Sequence, residues 1–156
     1  MRKILFRGQT RKFGEKVRMG DGQKLPGHWV YGGVLQGKSS HSIIYGGENA
    51  DDQSEGLDKW CVHTDTIGQF TGLTDKNGKK IFEGDIVRAE SILNSDTWAG
   101  YVVWWHGCFA IQEVRTKNVP AIDLFRNYEI IGNIHDNPDL LKGSSSYGER
   151  KDNDST

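Results

Sequence analysis

Asn77-Gly78 lies at the centre of TGLTDKNGKKIFEGDIVRA, residues 71–89, and it constrains the chain more than any other dipeptide. The pair favours positive φ, so it predicts a tight reversal between two extended segments. Gly84-Asp85 follows as a bend before a strand in which Ile86 alternates with Arg88 on one side and Val87 with Ala89 on the other. Asp85 is read as an acceptor of backbone hydrogen bonds at that bend. Gly68, Gly72 and Gly78 are read as turn and close-packing positions.

The same grammar recurs along the chain. KILFRG, HWVYGGVL and HSIIYGG read as short strands, and DKWCVHTDTIGQFTG offers one or two more with Trp60, Val62, Ile67 and Phe70 facing inward. GYVVWW and CFAIQEV are separated only by His106-Gly107, the spacing of a hairpin, and NYEIIGNIH supplies a last strand. Polar connections fall at residues 9–27 and in GGENADDQSEG. Helical signals are sparse: VPAIDLFRN, with Pro120 at a first-turn position, predicts a short helix, and Pro138 permits a helical turn at PDLL.

The predicted class is therefore mainly β with minor α. Residues 1–66 form an N-terminal β-rich lobe, residues 67–141 a small SH3-like, partly closed barrel lobe packed against it, and residues 142–156 a flexible tail. Closure would hide edges that short antiparallel sheets otherwise expose. At 156 residues, with five Trp, six Phe and five Tyr, the chain has enough large side chains to build such a core.

Charge excludes little. The formal net charge is -1, so nothing chain-wide draws a polyanion. Residues 1–27 hold eight Lys or Arg against two acids, whereas Glu48, Asp51, Asp52, Glu55 and Asp58 form an acidic run; both read as solvated surface. Two cysteines make no disulfide framework, and no window approaches the ~18 apolar residues that cross a bilayer. The expectation is a cytoplasmic protein with no membrane association.

Catalytic and ligand motifs are weak. Cys61-x-His63 and His106-x-Cys108 offer a tetrahedral zinc donor set, but structural zinc pairs are usually spaced by two to four residues, so ordinary thiols and imidazoles are expected. Gly32 to Ser39 matches a phosphate-loop spacing, yet SSHSIIYGG after it reads as a strand where a helix is required. Asp51-Asp52 lies in a polar loop, and Asp136 and Asp139 bracket a proline turn as turn or cap residues. No Gly-x-Ser-x-Gly elbow or orienting third group accompanies either cysteine. The expectation is a non-enzyme with no cofactor and no metal.

VHTDTIGQFTGLTDKNGKKIFEGDIVRA, GYVVWWHGCFAI and YEIIGNIHDNPDLL, with ILFRG near the start, together resemble the YopX family of phage and prophage proteins. The resemblance covers most of residues 1–141 and is loosest between Arg11 and Asp58. It implies a small, β-rich, self-associating phage protein in the cytoplasm of a bacterial host, with a phage or host protein as partner. It assigns no catalytic residue. The residues themselves suggest Trp98, Trp104, Trp105 and Phe109 as anchors of a homo-oligomeric or other protein interface. The alternative is nucleic-acid binding in phage DNA metabolism or regulation, with bases stacked on Trp104 or Trp105 and phosphates held by Lys79, Lys80 and Arg88. In a regular strand one of the two adjacent tryptophans enters the core and the other faces out.

Overall fold

The structure, a computed structural model, describes residues 4–10, 27–36, 41–45 and 59–142. The connection after Thr10, the acidic run and the tail from residue 143 lie outside the described residues. The strands are β1 (Phe6–Gln9), β2 (Trp29–Gln36), β3 (His41–Tyr45), β4 (Lys59–His63), β5 (Gly68–Thr74), β6 (Lys80–Phe82), β7 (Asp85–Ser91), β8 (Thr97–Trp105), β9 (Cys108–Glu113) and β10 (Phe125–Asn133).

They form two antiparallel sheets, ordered β4-β3-β2-β1-β5-β6 and β10-β7-β8-β9. β1 pairs with β2 on one side and with β5 on the other, with Phe6 opposite both Gly32 and Gln69. The segments around Asn77-Gly78 thus belong to the first sheet. Alternation identified them as strands but carried no information on which neighbour each would choose.

The turns obey their residues. Gly78 has φ 79° and donates to the Asp75 carbonyl at 2.9 Å. Asp75 completes the turn, its Oδ1 accepting from Asn77 and Lys79 backbone N–H at 2.8 and 2.9 Å. Burial would raise the Asp75 pKa, but those donors and the Ile130 N–H outweigh it and hold the carboxyl below its ordinary value. His106 and Gly107, at φ 46° and 85°, make a two-residue reversal with positive φ at both positions, and Trp105 faces Cys108 across it. At Gly68 a Cβ would lie 2.5 Å from the Glu83 carbonyl oxygen, so the absent side chain permits the close approach of two backbones.

The expected helix at VPAIDLFRN is a 3-10 turn, Ile122–Leu124, and Phe125 already belongs to β10. Pro120 instead lies along β9, where its carbonyl accepts from Ile111 N–H at 3.0 Å. PDLL does form a 3-10 turn, with Pro138 at its start.

The expected barrel closure is not present among the described residues: the second sheet is open, with β10 and β9 at its ends. Its edges are covered locally instead. Lys76 N–H donates to the Tyr128 carbonyl of β10 at 2.8 Å, and Glu113 N–H of β9 donates to Asn118 at 2.9 Å. In the first sheet, Thr10 beyond β1 bridges Val62 of the edge strand β4. Such contacts occupy backbone groups that would otherwise pair with another chain.

The largest core cluster joins Ile81, Val87, Ala89, Val102, Phe109, Ile111, Ile122, Phe125 and Tyr128. Ile81 comes from the first sheet, so this cluster seals the two sheets together. Val30, Ile44, Trp60 and Val62 form a second cluster, with Ile67 against it; Leu5, Phe70 and Phe82 form a third. Ile86 is buried although it shares a face with exposed Arg88. Replacing fully buried Ile81 with Ala is expected to cost roughly 2–5 kcal/mol in urea denaturation, whereas Arg88→Ala should stay within about 1 kcal/mol.

Candidate functional site

The β8–β9 hairpin tip gathers the exposed aromatics. β8 outruns β7: the last β7 partner on it is Tyr101, opposite Ile86, and beyond that point Trp104 and Trp105 pair only with Phe109 and Cys108 of β9. Both indoles are about half exposed, at 52% and 49%. Trp104 shares a face with Val102 and lies opposite buried Phe109, and Trp105 points to the other face, so the alternation is as expected; Trp104 nevertheless projects past the core and is not enclosed by it. Trp104 meets Phe109 edge-on at 4.9 Å, and Trp105 meets His106 edge-on at 4.7 Å. The exposed Cys108 thiol donates to the Trp105 carbonyl at 3.4 Å.

The other two predicted anchors face inward. Phe109 is buried in the main cluster, and half-buried Trp98 packs edge-on against Phe125 at 5.5 Å. Phe109 supports the base of the tip, and Trp98 supports the sheet at the far end of β8.

The predicted phosphate contacts stand on elements other than the β8–β9 tip. Lys79 lies in the β5–β6 turn, exposed Lys80 opens β6 opposite Thr74, and Arg88 faces Ala99 of β8. Ala99 is five residues from Trp104, a separation of about 17 Å along an extended strand. Arg88 is also engaged, 3.2 Å from Glu129, which pairs with Lys76 at 2.9 Å. Those two cations hold the Glu129 carboxyl below its ordinary pKa.

Cys61 is buried in β4, and His106 and Cys108 stand at the hairpin tip; among the described residues no three His, Cys, Asp or Glu side chains gather as a metal site. Gly32 and Gly33 lie within β2, and the Lys and Ser of the phosphate-loop match fall outside the described residues.

A second cluster, only partly visible in sequence, lies where the two sheets meet. The bend at Gly84, φ 81°, sets Asp85 beneath Arg7 of β1, with a 2.7 Å ion pair whose side chains are 6% and 2% exposed. Asp85 accepts from Phe82 N–H at 2.8 Å, as its place at the bend suggested; its partnership with a residue far away in sequence was not legible. Arg7 also donates to the Glu83 carbonyl at 3.0 Å and stacks over the Trp29 and Phe82 rings at 4.5 and 5.0 Å. Beside it, Asp136 accepts from Gln9 Nε2 at 2.6 Å, Trp29 Nε1 at 2.7 Å and Asn133 Nδ2 at 2.7 Å. His135 stands 5.9 Å from the Trp29 ring. The turn role expected for Asp136 is present, but most of its bonds reach across to the first sheet.

Burial pushes the Asp85 carboxyl up despite Arg7 and the Phe82 N–H. Because its folded pKa is raised, ionising it costs folding free energy, and its contribution falls as pH rises from about 3.9 through the folded value. The pair is thus better understood as specifying how the sheets meet than as a source of net stability.

These features define a two-sheet antiparallel β protein with an aromatic hairpin tip and a buried ion pair at the sheet junction. The chain belongs to the YopX protein family, whose model matches residues 23–142. No curated protein matches it.

Asp85→Leu, which strands the guanidinium, is expected to destabilise the protein by roughly 3–5 kcal/mol. Arg7→Met combined with Asp85→Leu should recover part of that loss in urea denaturation. A loss in the double variant equal to the sum of the losses in Asp85→Leu and Arg7→Met alone would show that the two groups are not coupled.

Proposed function

We propose that this YopX-family chain is a phage- or prophage-encoded accessory protein of the bacterial host cytoplasm, a non-catalytic module that self-associates through the β8–β9 tip. The observation that carries this reading is the adjacent pair of half-exposed indoles, Trp104 and Trp105, at the end of β8 beside the His106-Gly107 turn. Tryptophan contributes large apolar area with few rotatable bonds, and it is over-represented among residues that dominate binding energy. Edge contacts at β4, β9 and β10 disfavour association by strand addition, which directs attention to side chains. In this reading the second sheet, with the β5–β6 turn laid along β10, acts as the SH3-like lobe that presents the tip. Phe109 holds the tip from behind.

The occupant of the tip in this reading is a second copy of the chain, with a phage or host protein using the same surface in its place. Nucleic acid is the second reading, favoured by the capacity of exposed indoles to stack on bases. It is disfavoured by the distance between Trp104 and Arg88 and by the engagement of Arg88 with Glu129.

Size-exclusion chromatography with light scattering tests both. The wild-type chain should elute as a homo-oligomer, and Trp104→Ser with Trp105→Ser should weaken self-association at least tenfold while leaving the urea midpoint almost unchanged. A monomeric wild type would overturn the self-association. A salt-sensitive shift with single- or double-stranded DNA or RNA, lost in the same variant, would replace it with the nucleic-acid reading.

A further inference from the structure

The segment after β10 turns so that His135 and Asp136 reach the first sheet, while Asn137 and Leu140 stay against Gly132 of β10 and Asn137 Oδ1 accepts from Asn133 N–H at 3.2 Å. Its 3-10 turn, Pro138–Leu141, contains no buried residue, and Leu140 is 46% exposed. Its root is backbone: Ile134 N–H donates to the Gly84 carbonyl at 2.9 Å, and Asn137 N–H to the Asn133 carbonyl at 2.9 Å. Asn133 Oδ1 accepts from the backbone of His135 and Asp136 at 3.0 and 2.9 Å, shaping the turn. The bonds that cross from Gln9 of β1 and Trp29 of β2 both end on the Asp136 carboxylate. The side chains that link this segment to the first sheet are the exposed Asp136 carboxylate and the His135 ring beside Trp29, whereas the sheets themselves are joined by buried apolar side chains and the Arg7–Asp85 pair.

We propose that residues 135–142 form an acid-released strap, latched over Trp29 by the Asp136 carboxylate and loosened when Asp136 or neighbouring His135 takes up a proton. Protonation removes the charge that draws both donors to Asp136. Release uncovers the Trp29 indole and the Gln9 amide, and leaves Arg7 stacked on Trp29.

The electrostatic surroundings set two steps. His135 faces Asp65 from the turn after β4, Arg7 from β1, and Asp136 beside it in the chain. Burial lowers its pKa and Arg7 adds to that, against the opposite pull of the two aspartates. With the latched pKa below the free one of about 6.5, the latched form binds fewer protons, and the strap weakens as pH falls below that value. Burial raises the Asp136 pKa, but hydrogen bonds from Asn133, Trp29 and Gln9 outweigh it and set the value below the ordinary one. Its stabilisation is complete above about 3.9 and is lost as pH falls through the lower, latched value.

Two-dimensional proton–nitrogen NMR on the full chain tests the strap, with the Trp29 indole N–H assigned through Trp29→Phe. On acidification the indole signal should move in a titration step towards a solvated position. Amides of residues 135–142 that have an N–H should exchange at least tenfold faster relative to intrinsic rates, while the Val87 and Val102 amides hold. Asp136→Ala should show the released indole position at neutral pH, and His135→Gln should lose the higher-pH step and keep the lower. The proposal is overturned if the Trp29 and strap signals persist until those of Val87 and Val102 vanish with global unfolding. It is equally overturned if Asp136→Ala retains the wild-type indole position.

Discussion

The ion pair between Arg7 and Asp85 is the constraint on which the architecture depends. It joins the first strand of one sheet to the first residue of the strand on which the other is built, and it is enclosed by Trp29, Phe82 and the Glu83 carbonyl. Two charges taken out of water gain little net stability, and the upward push on the Asp85 pKa has that meaning here. What the pair supplies is selectivity. A different placement of β1 would leave a buried carboxylate without its cation, a penalty large enough to exclude it.

The apolar clusters follow from that placement. With β1 docked beside β5, Ile81 of β6 falls among Val87, Val102 and Phe109, and one cluster draws on both sheets. The Asn77-Gly78 turn then lies along β10, where Lys76 and Asp75 meet backbone groups that would otherwise face solvent. The chain covers these edges with its own turns, and closure of a barrel is unnecessary for that purpose. The end of the tip escapes the arrangement: Val102 and Phe109 are still enclosed in the main cluster, but the indoles of Trp104 and Trp105 stay half exposed.

Local chemistry was widely legible. Asn77-Gly78 and His106-Gly107 reverse the chain because positive φ is affordable at these residues, and each expected strand is present within a few residues of its expected limits. Alternation marked Trp60, Val62 and Phe70 as inward groups. The helix expected after Pro120 was misread because a proline that starts a helix and one that runs beside a strand have the same local signature. The candidate site was legible in composition only. Trp104, Trp105, Trp98 and Phe109 stood out as large aromatics, yet which pair would be exposed depended on where β7 stopped relative to β8.

What the amino-acid sequence determined by itself were properties that act over a few residues: turns, strand periodicity and the family to which the blocks belong. Tertiary structure alone decided that β5 and β6 join the first sheet, that Arg7 finds Asp85, and that Gln9 and Trp29 converge on Asp136. The reason is physical. Turn geometry is set by the φ preferences of adjacent residues, whereas sheet order and ion pairing are set by which distant groups can be buried together at least cost.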